Sequence, residues 1–388
     1  MAQIELIATA PMGLEALVSR ELKDLGYDQQ DVDNGSVMFV GDEEAVCRAN
    51  LWLRTADRVL VVLGQFPATT FEELFQGTRA LPWDEWIPAN GNFHINGRSH
   101  KSQLTSVPAC QSVVEKAIVE KLKQKHKLEW FPKTGAKYSI EVSLLKDVAT
   151  LTIDTTGPGL HKRGYRKLTA EAPIKETLAA AMILLSRWHP ERPFMDPLCG
   201  SGTIPLEAAL IGHNMAPGLH RQFPSEAWGR ISEEMWQKAR DEAFDLADFD
   251  RPMEISGSDV NAEVLELAAY HARSAGLTKS VKFERRAVQQ VKTDLKYGYL
   301  ITNPPYGERL GERDEVEELY RAMGRAFKSL EEWSVFVITA HKEFEKFYGR
   351  RADKKRKLYN GRIECDLYQY LGKYHARPIP YDVAGTEK

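Results

Sequence analysis

Phe194-Met195-Asp196-Pro197-Leu198-Cys199-Gly200-Ser201-Gly202-Thr203, continuing as Ile204-Pro205-Leu206-Glu207-Ala208-Ala209-Leu210-Ile211, reads as a short strand, a glycine-rich turn and an apolar helix. Gly200 and Gly202 let the backbone turn tightly and let a ligand approach, and the helix amino end offers free N–H groups. The spacing is not the dinucleotide pattern G-x-G-x-x-G. Asp196 precedes a single G-x-G and Pro205 stands near the helix start. An acid in that place suits a ligand carrying an ammonium and repels a pyrophosphate. A strand-turn-helix of this kind is the opening unit of a Rossmann-like sheet.

Working outward, Met253-Glu254-Ile255-Ser256-Gly257-Ser258-Asp259-Val260-Asn261 reads as the second strand, ahead of a helical stretch from Ala262 to Ala275. An acid ending that strand pairs with a ribose diol in Rossmann-like units. Asp259 equally suits a helix N-cap. It lies far beyond the usual spacing of about 20 residues after the turn. A segment is therefore inserted, and Gly212 to Arg251, with Trp228 and Trp236, is the candidate.

Further on, Tyr299-Leu300-Ile301-Thr302 is an apolar run that ends in Asn303-Pro304-Pro305-Tyr306. Pro305 keeps residue 304 out of the helical region, and neither proline donates to a ladder. The strand thus ends in a stiff loop bearing an amide, free carbonyls and an aromatic ring. The Asn303 side-chain oxygen and the Pro304 carbonyl can accept the two protons of an exocyclic amine while Tyr306 stacks on the base. A proline-rich turn closing a buried strand is the plain alternative.

A glycine turn with a leading Asp, an acidic second strand and N-P-P-Y together resemble the amino-directed S-adenosylmethionine (SAM) methyltransferases. Two further blocks narrow the resemblance: Gly159-Leu160-His161-Lys162-Arg163-Gly164-Tyr165-Arg166, and Ala172-Pro173-Ile174-Lys175-Glu176-Thr177-Leu178. With Asn303 to Arg309 they resemble the THUMP-containing rRNA guanine-N2 methyltransferases, matching the amino-terminal half of the bifunctional large-subunit (23S) enzymes. The resemblance covers most of the chain and implies a stand-alone version of that half. It implies SAM as cofactor, held by Pro173, Lys175, Asp196, Pro197, Gly200, Gly202, Thr203, Asp259, Val260, Asn261 and Asn303. Asn303, Pro304, Pro305 and Tyr306 become the catalytic loop. The family's usual acid after the third strand is here Ala287, so the backbone of Ala287 and Val288 is expected at the adenine. No metal is implied. The substrate implied is the N2 amine of a guanine in large-subunit rRNA. Adenine N6 in DNA or RNA, guanine N2 in tRNA, and a SAM-binding assembly factor without catalysis remain alternatives.

The fold class expected is α/β: a Rossmann-like methyltransferase domain preceded by a ferredoxin-like and THUMP RNA-binding region. Residues 1–66 read as strand (Ile4–Thr9), helix (Gly13–Leu25), strand (Ser36–Val40), helix (from Glu43) and strand (Arg58–Gln65), a ferredoxin-like order. Residues 67–158 carry helices at Phe71–Ala80 and Pro108–Lys125, and strands at Asn92–Arg98, Tyr138–Leu144 and Ala149–Thr155, the last two around Lys146-Asp147. Gly157-Pro158-Gly159 marks a border. Residues 159–388 alternate strand and helix, which predicts a parallel sheet with strands near 194, 254, 281, 299, 334 and 364.

With 388 residues and ordinary apolar content there is length for two or three domains. Cys47, Cys110, Cys199 and Cys365 show no metal or disulfide spacing. No signal pattern or membrane span is evident, so a soluble, cytoplasmic chain is expected. Net charge is only −3, but residues 61–167 hold 15 basic against 10 acidic residues, and His341–Lys357 hold 8 against 3. Local patches of this kind bind phosphates, although charge runs are usually solvated faces. Lys121, Lys123, Lys125, Arg163, Lys354, Lys355, Arg356 and Lys357 are the candidate RNA contacts.

Overall fold

The computed structural model describes residues 3–166, 174–307 and 313–376. The chain divides into two compact units. In the first, seven strands form one sheet: β1 (Ile4–Thr9), β2 (Gln30–Asp33), β3 (Ser36–Gly41), β4 (Arg58–Pro67), β5 (Asn92–His100), β6 (Lys137–Leu145) and β7 (Val148–Asp154). Their spatial order is β2-β3-β1-β4-β7-β6-β5. The long strand β4 pairs with β1 on one side and β7 on the other, so a single sheet runs through both amino-terminal regions. β6 and β7 meet through Lys146 and Asp147, both at positive φ (52° and 64°), the two-residue hairpin that such φ values allow. Helix Val107–His126 crosses over between parallel strands β5 and β6 and buries Cys110, Val114, Ala117, Ile118 and Leu122, one stripe of its surface.

Strand β2 escapes the sequence pattern because Gln30-Asp31-Val32-Asp33 is a polar edge strand, paired only with β3. A larger departure concerns the insertion. Arg221–Asp245 belongs to the first unit, although it lies in the second half of the sequence. Trp228 stacks on Tyr138 (4.8 Å) and donates to the Lys137 carbonyl (3.0 Å). Helix Glu233–Asp245 packs on helix Glu43–Trp52, where Arg48 makes a bidentate pair with Glu242 (2.9 and 2.8 Å).

The second unit carries β8 (Phe194–Asp196), β9 (Ile255–Asp259), β10 (Lys282–Arg285), β11 (Tyr299–Thr302), β12 (Ser334–Thr339), β13 (Lys354–Asn360) and β14 (Ile363–Tyr370). Their order is β10-β9-β8-β11-β12-β14-β13. The first five are parallel, while β14 runs antiparallel to β12 and β13 antiparallel to β14. An all-parallel sheet was expected, and the missed hairpin is the reason for the difference. Asn360↔Ile363 pairing leaves a two-residue turn whose Gly361 sits at φ 65°. The charge run Lys354–Lys357 therefore forms an edge strand, where lysines discourage pairing with other chains. It is neither a loop nor a helix face.

Strands β11 and β12 are buried on both faces, as central parallel strands must be. Ile301, Phe336 and Ile338 meet Leu178, Met182, Leu206 and Leu210 on one side. Leu300, Val335 and Val337 meet Tyr320, Met323 and Phe327 on the other. Successive strands run outward in opposite directions from β8 and β11. The carboxyl ends of those two strands form the switch point where α/β sheets hold ligands.

Candidate active site

The glycine turn leaves β8 at Asp196. Gly200 and Gly202 both have positive φ (51° and 84°), which only glycine adopts readily. Their surroundings differ. A Cβ on Gly202 would strike Phe283 (2.9 Å) and Ala268 (3.0 Å), so Gly202 is demanded by packing. A Cβ on Gly200 would meet nothing within 4 Å, so that face is open to a ligand. Thr203 is buried at the start of helix Thr203–Gly212.

Asp259 braces this turn. One carboxylate oxygen accepts from Gly200 N–H (3.1 Å) and the other from Asn261 N–H (3.0 Å). The cap of helix Ala262–Ser274 is Asn261, which accepts from Glu263 N–H (2.9 Å), so Asp259 is not the N-cap. Asp196 is only 1% exposed. Its Oδ1 accepts from Thr302 Oγ1 (2.6 Å) and Leu198 N–H (3.2 Å). Burial pushes its carboxyl up to about 7, with the nearby Asp259 charge adding to the rise against both hydrogen bonds. An incoming ammonium would reverse that shift. Cys199 is buried and its thiol is pushed far up by desolvation, the opposite of a nucleophile.

On β11, Asn303, Pro304, Pro305 and Tyr306 follow Thr302 at the carboxyl end. Tyr306 donates from its hydroxyl to Asn303 Oδ1 (2.7 Å), and burial pushes the phenol up. The Pro305 carbonyl accepts from Tyr320 (2.8 Å), whose hydroxyl also meets Thr339 Oγ1 (2.9 Å), tying this loop to the end of β12. The acceptor expected to meet an amine is thus occupied by the ring expected to stack on the base. Both are in place, but the pair must part for that chemistry.

Other expected residues fall as follows. Lys175 caps helix Glu176–Ser186, and Pro173 lies outside the described residues. Val260 is exposed beside Asp259. Ala287 caps a short 3-10 turn and Val288 points into the core. Arg163 is the main displacement. It is 2% exposed and paired with Glu207 (3.2 Å), beneath the turn and with Tyr165 on the same carboxylate (3.2 Å). A phosphate cannot reach it there, and it braces the helix behind the glycine turn instead. Lys121 and Lys125 both face Asp84 (3.7 Å), and Lys123 faces Glu129 (3.1 Å). Lys355 and Lys357 pair with Glu345 (3.2 Å) and Glu364 (3.1 Å), while Arg356 donates to the Gly13 carbonyl (2.7 Å). Lys354 stands at the start of the same edge strand.

Thr302 and His341 went unread in the sequence. Thr302 passed as part of an apolar run. His341 follows β12 by two residues on the same sheet edge, and the carboxyl-end rule could have found it. Among the described residues no His, Cys, Asp and Glu cluster could hold a metal, and no helix is long and apolar enough to cross a membrane.

A sheet with five parallel strands, an acidic glycine turn, a second acid bracing it and an amide-proline loop across the switch point defines a methyltransferase of nucleotide-cofactor type. Residues 163–369 match the family described as RMKL-like, methyltransferase domain, and the chain belongs to that family. Residues 5–60 match an RlmL ferredoxin-like domain and residues 68–154 a THUMP domain. The chain is 53% identical to YpsC of Bacillus subtilis (strain 168), named as an RNA methyltransferase, over 96% of this chain and 97% of that one. It is 35% identical to the ribosomal RNA large subunit methyltransferase K/L of Aeromonas hydrophila over 94% of its length, spanning about half (54%) of that longer protein. Two solved structures share the fold. One, from Listeria monocytogenes, is described as a predicted N6-adenine-specific DNA methylase (52% identity, TM-score 0.93, covering 96% of this chain and 97% of that one). The other is a methyltransferase complexed with SAH (48% identity, TM-score 0.91, covering 96% and 99%). SAM is the cofactor of this chain, and the open face at Gly200 beside Asp196 and Asp259 fits it.

Proposed function

We propose that this chain transfers the methyl group of SAM to the exocyclic N2 amine of a guanine in large-subunit (23S) ribosomal RNA, in the cytoplasm. The observation that carries the reading is the Asn303–Tyr306 loop at the carboxyl end of β11, next to the glycine turn across the switch point. An exocyclic amine is a poor nucleophile because its lone pair is delocalised into the ring. Acceptors at Asn303 and Pro304 draw on its protons, Tyr306 holds the ring, and alignment supplies the rest. Positioning at about 3–3.5 Å can contribute roughly 7–11 kcal/mol.

In this reading Asp196 faces the cofactor's ammonium, Asp259 its ribose hydroxyls, and Gly200, Gly202 and Thr203 the backbone between them. Pro197, Val260, Asn261 and the backbone of Ala287 and Val288 border the adenosine, with Pro173 and Lys175 at the amino-acid end. Cofactor supplies the electrophilic methyl group. The chain's own work is to bind, orient and exclude water. An rRNA substrate is supported by the THUMP match and by 35% identity to the K/L enzymes over 94% of the chain. The basic surface around Lys121, Lys123 and Lys125, and the edge strand Lys354–Lys357, are the proposed phosphate contacts.

Mass spectrometry of rRNA and tRNA nucleosides from a deletion strain tests this. Loss of one N2-methylguanosine from large-subunit rRNA is the expected result. Loss from tRNA, or loss of N6-methyladenosine, transfers the activity to the corresponding alternative substrate.

A further inference from the structure

Next to Tyr306 lies a cavity of about 290 Å³, lined by Tyr306, Gly307, Arg313, Ala340, His341, Lys342 and Glu343. His341 gives it chemical character. The side chain is 8% exposed, and both ring nitrogens are buried without a hydrogen-bond partner. Tyr320 (5.5 Å, 82°) and Phe347 (5.6 Å, 79°) clamp the ring edge to face. Its backbone N–H donates to Thr339 Oγ1 (3.1 Å). That hydroxyl also meets Tyr320, which holds the Pro305 carbonyl, so the imidazole and the Asn-Pro-Pro-Tyr loop share one frame. Glu317 Oε1 stands 3.7 Å from Nε2, too far for a hydrogen bond.

Buried polar atoms are nearly always satisfied, and an exception at a reaction site points to a partner that arrives with substrate. We propose that His341 accepts the proton shed by the target amine as it is methylated. The amine nitrogen bonds to the methyl carbon as the sulfonium S–C bond breaks and leaves its electron pair on sulfur. The N–H bond then breaks, its pair returning to nitrogen and its proton passing to a His341 ring nitrogen. Glu317 faces the imidazolium so formed. Such contacts are commonly long before substrate binds and tighten in the complex. Here the tightening accompanies departure of Tyr306 from Asn303 Oδ1. Groups facing the ring are Glu317 and Tyr320 from helix Arg313–Phe327 and Glu343 from its own loop, while Arg313 bridges Glu317 (3.2 Å) and Glu343 (3.2 Å). Lys342 at the cavity mouth pairs with Glu364 (3.0 Å).

This inference rests on the amine chemistry proposed above, but not on which base carries the amine. The test is single-turnover methyl transfer against pH with cofactor saturating, which removes any effect of Asp196 on cofactor binding. His341→Phe preserves the ring clamp. It should lower the rate at neutral pH by about a hundredfold, the lower range for general bases, and abolish the fall in rate toward acid pH. Added imidazole should partly restore His341→Ala. Independently of activity, the His341 ring proton resonance, assigned by its absence in His341→Phe, should shift when substrate RNA binds. A His341→Phe rate and profile like the wild type, or a slower rate with the acid limb intact, overturns the role. Wild-type product carrying the methyl on carbon or oxygen overturns the amine reading as well, so the two failures are told apart.

Discussion

The two sides of the switch point are built in opposite ways. At the ends of β8 and β9 the polar groups are satisfied within the fold: Asp259 spans Gly200 and Asn261, and Asp196 holds Thr302 and Leu198. At the ends of β11 and β12 they are satisfied only in part. Asn303 Oδ1 accepts from Tyr306, while both buried ring nitrogens of His341 have no hydrogen-bond partner. The roles proposed above make the first the preorganised cofactor side, and the second the side that completes its hydrogen bonds when substrate arrives. Substitutions on the two sides should therefore separate affinity for cofactor from turnover.

The largest separation is expected at Asn303. Asn303→Ala should lower turnover by about a hundredfold or more, the scale on which one aimed polar group acts. SAM affinity by calorimetry should stay nearly unchanged. A large loss of cofactor affinity would put Asn303 on the wrong side of the comparison.

Asp259→Ala should do the reverse, weakening SAM by about 1.5–3 kcal/mol, the range for hydrogen bonds to a charged group. A 2′-deoxy cofactor analogue should then bind wild type and variant more equally. If thermal stability drops while affinity holds, Asp259 only braces the Gly200 turn.

Asp196 should impose a pH dependence on the same side. Below about 7 its carboxyl keeps its proton in the ligand-free protein, and an ammonium prefers the carboxylate. SAM affinity should rise as pH climbs through about 7 and then level off, by at most about tenfold per unit. Asp196→Asn should bind more weakly and show no such rise in calorimetric titrations. The raised value also contributes stability that is fully present below the ordinary value of 3.8 and is lost as pH rises through about 7. Melting of wild type and Asp196→Asn across that window reads the difference.

The smallest effect is expected on the surface. Replacing Lys121, Lys123 and Lys125 with Glu should weaken RNA binding several-fold and flatten its salt dependence, leaving SAM affinity alone. The pairs these lysines make with Asp84 and Glu129 are screened by solvent and salt, so phosphates can displace them. Filter binding at two salt concentrations decides. Deleting residues 1–160 is a poorer probe, because it strips Trp228 and helix Glu233–Asp245 of the unit they pack in.

Much of this was legible from residues alone, since strands β8, β11 and β12 announce themselves as apolar runs. What stayed hidden was hidden for physical reasons. β2 is polar at a sheet edge, and β13 was obscured by its lysines even though Asn360-Gly361 is a hairpin signal. Arg163 reads as a surface cation until Glu207, 44 positions away, is seen against it in the interior. The Tyr306–Asn303 bond and the Thr302–Asp196 bond depend on side-chain direction, which spacing does not encode. The insertion was visible, but its membership of the first unit was not.

The most direct measurement supplies the purified full chain with labelled SAM and, separately, protein-free large-subunit rRNA, tRNA and duplex DNA, then digests each product to nucleosides. The expected result is label in N2-methylguanosine from the rRNA alone. Label in N6-methyladenine from the DNA, or in no amine at all, would contradict the account.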